Sequence, residues 1–262
     1  MLIFDRHPKL LVGVVHLQPL PGSPRWGGDL EAVLRRAVED ARAYQLGGAQ
    51  ALFIENFGDV PFTKGSVGPE TVAAMAAAGR AVRAAVRLPL GFNVLRNDAR
   101  TALALCAVCG GTFIRVNVHT GAMLTDQGLI EGNAYETSRY RRQVCPGASI
   151  LADVHVKHAV PLGEWSLGDS ARDAVQRGLA DALIVSGTGT GLATDAADLE
   201  RVRAACPTTK LLVGSGVTVQ SIRQYLPLAD GFIVGTSLKT GGRIASRVDA
   251  KRVAALARAM RS

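Results

Sequence analysis

The chain has 262 residues, of which 48% are hydrophobic and 20% are charged, and its formal net charge is +8. Scattered arginines, without the clustering of a nucleic-acid surface, predict no nucleic-acid partner and a preference for anionic ligands. No apolar run approaches the roughly 18 residues of a membrane span, and the N-terminus lacks a signal peptide's basic start and cleavage site, so we expect a cytoplasmic protein without a transmembrane segment.

Eight short apolar runs alternate with longer amphipathic runs along the chain. The predicted strands are 10–16, 51–55, 88–94, 112–118, 150–156, 182–186, 211–215 and 231–235. The predicted helices are 30–46, 69–87, 99–109, 134–144, 169–177, 198–205, 219–225 and 249–260. This alternation indicates βαβ units and a parallel sheet, and eight such units favour one closed α/β barrel, a (β/α)8 or TIM barrel, as a single domain over residues 1–262.

The fifth predicted strand carries an unusual row of ionisable side chains. Residues 149–158 have the sequence SILADVHVKH, in which Asp153, His155 and Lys157 share one parity and apolar residues occupy the other. Side chains alternate faces along a strand, so an acid, an imidazole and an amine are expected to point to the same side. Burying such groups without partners is costly, which indicates that this face lines a functional site.

Other predicted strands also end in polar residues. These residues are His16, Glu55, Asn93, Arg115, Asn117, His119 and Ser186. The carboxyl ends of barrel strands meet at one rim, where barrel enzymes keep their catalytic groups. For one histidine or asparagine, an edge residue satisfied by a loop is the simpler interpretation. Five strands ending in this way together predict a site.

The last two strands end in turns rich in glycine and hydroxyl groups. Gly214, Ser215 and Gly216 follow the seventh strand, and Gly235, Thr236 and Ser237 follow the eighth. Glycines let the backbone approach an anion, and the loops after strands 7 and 8 form the phosphate site of many barrels. The pair of turns therefore predicts a phosphorylated ligand. We expect residues 186–195 to form a flexible loop beside it, and residues 120–133 to form either a lid or a structural loop.

Six motifs resemble those of the BtpA family. They are residues 13–24 (GVVHLQPLPGSP), 55–62 (ENFGDVPF), 93–98 (NVLRND), 115–122 (RVNVHTGA), 152–159 (ADVHVKHA) and 214–218 (GSGVT). This family is named for a member needed for photosystem I biogenesis and includes the SgcQ type, which is associated with sugar-uptake genes. The resemblance implies a TIM barrel like those of the ribulose-phosphate-binding class. It implies no particular reaction.

The first functional hypothesis is an enzyme that acts on a phosphorylated sugar or a related metabolite by isomerisation, epimerisation, aldol-type cleavage or glycosidic-bond chemistry. Such reactions need a positioned acid and base. The catalytic candidates are Glu55, His119, Asp153, His155 and Lys157, and the substrate-binding candidates are His16, Asn93, Arg115, Asn117 and Ser186. Lys157 is also a candidate for a Schiff base. No cofactor is required by this hypothesis.

Two alternatives stay open from the sequence. In one, a divalent metal is bound among Glu55, His119, Asp153 and His155, because mixed histidine and carboxylate ligands suit several transition metals. In the other, the protein is a non-catalytic biogenesis or assembly factor for a membrane complex, and its positive charge permits peripheral contact with anionic lipid. An alanine-rich helix face is a candidate for contact between copies in a homo-oligomer, although no interface is evident in the sequence.

Overall fold

The structure is a computed structural model and describes residues 7–261, so most of the N-terminal segment examined for a signal peptide lies outside the described residues. The strands within this range are β1 (Leu10–His16), β2 (Ala51–Glu55), β3 (Leu90–Asn93), β4 (Phe113–Val116), β5 (Ala122–Thr125), β6 (Gly128–Glu131), β7 (Ser149–Val154), β8 (Ala159–Pro161), β9 (Ala182–Val185), β10 (Lys210–Val213) and β11 (Gly231–Val234). The helices are α1 (Leu30–Gly47), α2 (Pro69–Ala85), α3 (Ala99–Cys109), α4 (Ala134–Val144), α5 (Leu167–Arg172), α6 (Ala196–Ala205), α7 (Ile222–Tyr225) and α8 (Ala250–Ala259).

Eight of these strands form a closed parallel barrel in the order β1-β11-β10-β9-β7-β4-β3-β2. Helices alternate with the barrel strands along the chain, so the predicted TIM-barrel fold is confirmed. Side-chain carboxylates or amides cap the amino ends of several helices, as Asp98 does by accepting a hydrogen bond from the Thr101 amide of α3 at 2.9 Å. Such caps satisfy amides that lack an intrahelical acceptor. No helix within residues 7–261 combines the length and apolar character needed to cross a bilayer.

The hydrophobic core has two layers, one between the barrel and its helices and one inside the barrel. The inner layer includes Phe53 and Phe113, whose rings meet edge to face with centroids 4.8 Å apart. Gly91 leaves room for them, because a Cβ atom at that position would lie 2.2 Å from the Phe113 ring. The barrel interior beneath the carboxyl rim is therefore a packed core and not a channel.

Several predicted elements differ from those observed. The predicted strand 112–118 ends at Val116, and the predicted strand 150–156 ends at Val154 because His155 adopts a positive φ of 49° that breaks the extended backbone. The predicted helix 169–177 is the short α5 followed by a π-helical turn, Asp173–Arg177. The segment 120–133, predicted as a lid or structural loop, contains the hairpin of β5 and β6, which β8 extends to a three-stranded antiparallel sheet.

Candidate functional site

A cavity of about 340 Å³ opens at the carboxyl ends of the barrel strands. It is lined by Val14, His16, Glu55, Arg115, Lys157, Thr190, Gly191, Gly214, Ser215, Gly216, Val217, Thr218, Ile233, Val234, Gly235, Thr236, Ser237, Gly242 and Arg252. Ionisable side chains form one part of the wall, and the two predicted glycine-rich turns form another. The structure therefore brings all six predicted phosphate-binding residues to the same cavity as four of the other predicted site residues.

Strand periodicity explains why the polar groups lie at this depth. Val12, Val14 and His16 share one parity on β1, and the first two belong to the apolar layer inside the barrel. Phe53 and Glu55 repeat this arrangement on β2. Each polar residue therefore lies one step above an apolar one on the inward face of its strand. The polar rim is a direct continuation of the packed interior.

Asp153 and Arg115 form a fully buried ion pair beside the cavity. The Arg115 guanidinium donates to both carboxylate oxygens at 2.8 Å, in the bidentate geometry that favours arginine–carboxylate recognition. The Asn117 amide donates to Asp153 at 2.9 Å, and the Ser186 hydroxyl lies 3.4 Å from the other oxygen. Because both oxygens of Asp153 already accept hydrogen bonds, this catalytic candidate has little remaining capacity to accept a proton. It instead fixes Arg115 at the cavity wall.

Glu55 is held more loosely, at the cavity itself. Its Oε2 atom accepts a hydrogen bond from the Asn93 amide at 2.6 Å, while Oε1 lies 3.7 Å from Nε2 of His16. Burial, followed by the positive charges of Lys239, Lys157 and Arg115, lowers the pKa of His16 well below its usual value, so the imidazole is neutral at pH 7. The pair thus presents a carboxylate and a neutral imidazole side by side, and Nδ1 of His16 has no hydrogen-bond partner.

Lys157 extends into the cavity although it lies beyond the end of β7. Burial and the nearby Arg115 guanidinium lower the pKa of its amine to about 8, against the opposing influence of Glu55 and Asp153. Among the described residues, no acceptor forms a hydrogen bond with Nζ and no carboxylate oxygen lies within 4.0 Å of it. Its main chain is anchored by Arg96, which donates from Nη2 to the Lys157 carbonyl at 2.6 Å.

The two glycine-rich turns pack closely against neighbouring loops. Gly216 has a φ of 71°, and a Cβ atom there would lie 2.3 Å from the Cα of Ala193, so both the conformation and the space require glycine. The Ser215 hydroxyl is already engaged, since it accepts from the Gly187 amide at 2.8 Å and donates to the Leu192 carbonyl at 3.0 Å. It therefore ties the predicted flexible loop, residues 186–195, to the wall of the cavity.

The hydroxyl groups of the second turn differ from one another. The Ser237 hydroxyl donates to the Val217 carbonyl at 2.6 Å and is not free to bind a ligand. The Thr236 hydroxyl makes no hydrogen bond within the described part of the chain and faces the cavity. The backbone of both turns and the Thr236 hydroxyl are therefore the groups that remain available for an anion.

His155 and His119 lie outside this cavity. The expectation that His155 shares a face with both Asp153 and Lys157 is wrong. The left-handed backbone at His155 interrupts the strand alternation, and His155 lines a second, smaller cavity together with Asp153. There its Nε2 lies 3.0 Å from the Ser170 hydroxyl of α5. His119 is buried, and its Nε2 lies 2.7 Å from the Gly178 carbonyl. Both imidazoles thus connect the ends of barrel strands to the surrounding helical layer.

The four residues considered for a metal site are not brought together. Asp153 is bonded to Arg115, His119 to Gly178, and His155 to Ser170. Within residues 7–261, no group of three or more histidine, cysteine, aspartate or glutamate residues is arranged to hold a metal ion. The donor set predicted from the sequence therefore does not fit a metal, and no step below depends on one.

Several residues of the site were not identified from the sequence. Arg252 on α8 lines the cavity and donates to the Ser237 carbonyl at 3.1 Å, but in the sequence it is one of many basic residues on an amphipathic helix. Arg96 lies in the motif 93–98, which was singled out only for the family resemblance. Its Nε is buried without a hydrogen-bond partner. Thr190 and Gly191 belong to the loop that was expected only to lie nearby.

Comparison with known proteins places the chain among its relatives. The model of the BtpA family matches residues 7–262. The chain is 48% identical over 257 residues to the photosystem I biogenesis protein BtpA of Synechocystis sp., which covers 98% of this chain and 89% of that protein. It is 34% identical over 248 residues to the putative sgc region protein SgcQ of Escherichia coli, which covers 94% of this chain and 91% of that protein.

A solved structure supports the same fold at much lower sequence similarity. The crystal structure of phosphoribosyl anthranilate isomerase from Thermus thermophilus superposes with a TM-score of 0.57 at 13% identity, covering 96% of this chain and 98% of that one. At this level of identity the likeness concerns the barrel alone. The family model and the relatives cover nearly the whole sequence and agree with the motifs on which the resemblance was based. The chain belongs to the BtpA family.

Proposed function

We propose that the protein is an enzyme that acts on a phosphorylated sugar or a related small phosphate metabolite. The observation that carries this proposal is that one cavity contains both an anion-compatible wall and a reactive wall. The turns 214–216 and 235–237 offer backbone groups and the Thr236 hydroxyl to a phosphate. The nearby Arg252 on α8 offers a positive charge. The same cavity is also lined by Glu55, His16 and Lys157. The phosphoribosyl substrate named for the similar barrel is compatible with this arrangement.

The reacting end of the ligand would lie against Glu55, His16 and Lys157. Glu55 is the best candidate for the general base, since its carboxylate faces the cavity and its orientation is fixed by Asn93. His16, neutral at pH 7, is suited to donate or accept a hydrogen bond without adding charge. Asp153 takes the role of positioning Arg115, while His119 and His155 have no direct part in the proposed chemistry.

Thermal denaturation with a set of phosphates and matched neutral sugars tests the proposal. We expect inorganic phosphate, glyceraldehyde 3-phosphate and ribose 5-phosphate to raise the melting temperature, whereas glyceraldehyde and ribose do not. Arg252→Met should weaken the stabilisation by phosphate, whereas Lys251→Met, a matched loss of charge on the same helix, should leave it unchanged. Equal stabilisation of both variants, or none of the wild type, would reject the proposed phosphate site.

A second candidate function is a non-catalytic assembly factor, as the name of the Synechocystis relative suggests. One structural feature supports it: Leu129, Leu124 and Val160 are opposite one another on β6, β5 and β8 and are 40%, 52% and 57% exposed. An exposed apolar row of this kind is typical of an interaction surface. Leu124→Asp would abolish co-sedimentation with membranes under this alternative. It should leave stabilisation by phosphate unchanged under the enzyme proposal.

A further inference from the structure

A buried lysine and a partly buried lysine of this barrel have very different surroundings. Lys239 is 1% exposed, and its ammonium donates to the Ile244 carbonyl at 2.6 Å. Lys157 lines the cavity and has neither a hydrogen-bond acceptor nor an ion-pair partner in the described part of the chain. Burying an unpaired ammonium is unfavourable, so the protein gains nothing in stability from Lys157 in its protonated form. An amine held in this way is available to react.

The position of Lys157 is built into the fold. The left-handed backbone at His155 ends β7 and starts the bend that leads to Lys157. Arg96 then anchors the Lys157 carbonyl, and the neighbouring His158 amide donates to the Thr188 carbonyl at 3.2 Å. Both polar groups of the peptide bond that follows Lys157 are therefore engaged, which holds the main chain at the point from which the side chain enters the cavity.

Burial is the main influence that favours the neutral form of the Lys157 amine. After burial, Arg115 is the strongest influence that lowers this pKa, and its position is fixed by the two hydrogen bonds to Asp153. Arg96 acts in the same direction, whereas Glu55 and Asp153 oppose it. A neutral amine is a nucleophile, whereas an ammonium is not. The buried ion pair therefore keeps a cation beside Lys157 without offering it a hydrogen-bond acceptor.

We propose that the substrate of this site carries an aldehyde or ketone and that Nζ of Lys157 forms an imine with that carbonyl carbon. This inference rests on the proposed function, because the phosphate site is what holds the carbonyl compound in the cavity. The nitrogen lone pair forms the new C–N bond as the C=O π electrons move to oxygen. The nitrogen then loses a proton, and the oxygen leaves as water after it has gained two protons. Glu55 and His16 are the neighbouring groups for these transfers.

The imine narrows the class of reaction. When Glu55 removes a proton from the carbon beside a protonated imine, the electron pair of that C–H bond forms a C=C bond as the C=N π electrons move to nitrogen. When Glu55 instead removes the proton of a hydroxyl on the next carbon, the O–H electron pair forms a new C=O bond, the bond between the two carbons breaks, and the electron pair of that bond forms the C=C bond as the C=N π electrons move to nitrogen. The first event leads to isomerisation or epimerisation, and the second to aldol-type cleavage. Hydrolysis of the imine then returns the amine and a carbonyl product. Glycosidic-bond hydrolysis does not use this chemistry, so it leaves the set of candidate reactions.

Reductive trapping tests the inference with the full-length protein. The protein is incubated at pH 7.5 with glyceraldehyde 3-phosphate and sodium cyanoborohydride, and the adducts are located by peptide mass spectrometry. At this pH about a quarter of the amine of Lys157 is neutral, compared with about one in a thousand for an ordinary lysine. We therefore expect labelling of Lys157 to exceed that of the exposed Lys64 by about tenfold or more, and excess inorganic phosphate to suppress it.

Matched variants separate a reactive amine from a structural one. Lys157→Met should eliminate the adduct at that position, and Lys64→Met should leave labelling of Lys157 unchanged. Lys157→Arg keeps the positive charge and should retain stabilisation by inorganic phosphate without forming a reducible adduct. This variant remains informative even where the methionine variant fails to fold.

The outcomes distinguish the two proposals. Stabilisation by inorganic phosphate without preferential labelling of Lys157 would overturn the imine and leave the proposed function standing. Equal labelling of Lys157 by glyceraldehyde and by glyceraldehyde 3-phosphate, with no effect of inorganic phosphate, would overturn the phosphate site and the inference that depends on it. Preferential labelling that phosphate suppresses supports both.

Discussion

Asp153 and Glu55 are two buried carboxylates at the same rim of one barrel, yet their surroundings differ. Asp153 is bonded by Arg115, Asn117 and Ser186, so that donors occupy both of its oxygens. Glu55 receives one short hydrogen bond from Asn93 at Oε2, its Oε1 lies 3.7 Å from His16, and the residue lines the cavity. The first region is closed and holds the strand ends together, whereas the second is open and has capacity for a ligand. Burial alone therefore does not identify a reactive group; unsatisfied bonding capacity does.

The largest expected effect on the free energy of unfolding comes from removing the carboxylate of Asp153. Asp153→Ala leaves the Arg115 guanidinium buried without its partner and should lower the free energy of unfolding by about 3–5 kcal/mol. Glu55→Gln keeps the shape of the side chain and should cost less than about 1 kcal/mol. Urea denaturation of both variants measures the difference. Similar stability of the two variants would show that the contrast between the carboxylates is unfounded.

Lys239 and Lys157 extend the comparison to a lysine with a hydrogen-bond acceptor and a lysine without one in the described part of the chain. Lys239→Met leaves the Ile244 carbonyl without its donor and should lower the free energy of unfolding by about 1–3 kcal/mol. Lys157→Met removes an unpaired buried amine and should leave the free energy unchanged or raise it. Guanidinium denaturation at pH 7 tests this opposition in sign. An equal loss in both variants would mean that Lys157 has a structural role like that of Lys239.

A smaller effect on stability is expected at Ser215, whose hydroxyl connects the turn after β10 to the loop 186–195. Ser215→Ala removes the bonds to Gly187 and Leu192 and should cost about 1–2 kcal/mol while hydrogen exchange at the Gly187 amide becomes faster. Thr236→Val removes a hydroxyl that has no protein partner in the described chain and should leave stability unchanged. It should nevertheless reduce stabilisation by phosphate. Unchanged exchange at Gly187 in the Ser215 variant would contradict the structural role of that hydroxyl.

The smallest expected effect is a pH dependence of the free energy of unfolding that comes from His119. Burial lowers the pKa of His119 in the folded protein below its ordinary value of 6.5, so below that pH the unfolded chain gains a proton that the folded protein resists. The free energy of unfolding should therefore fall between pH 7.5 and pH 5.5 through this residue. His119→Gln, compared with the wild type in urea at both pH values, should reduce that decrease. An identical decrease in the two proteins would exclude His119 as its source.

The sequence predicts the barrel better than it predicts the roles of residues within it. Strand periodicity correctly places Glu55, Arg115 and Asp153 on inward faces, because it depends only on local backbone geometry. Periodicity cannot show that Arg115 and Asn117 saturate Asp153, since those contacts form only when two strands pair. The interruption at His155 depends on one left-handed residue, for which histidine gives no strong signal. The contribution of Arg252 depends on how α8 packs against the end of β11.

The central claim is that the open region around Lys157 shares its cavity with a phosphate site. Lysines carrying ¹³C at the ε carbon report this directly by NMR, because the chain has six lysines and Lys157→Met assigns the relevant signal. We predict that Lys157 titrates with a pKa of about 8 in the free protein and that saturating inorganic phosphate raises this pKa, since a nearby anion favours the ammonium. Lys239, which does not line the cavity, should change less. An ordinary lysine pKa for Lys157, or a pKa that phosphate leaves unchanged, would contradict the account.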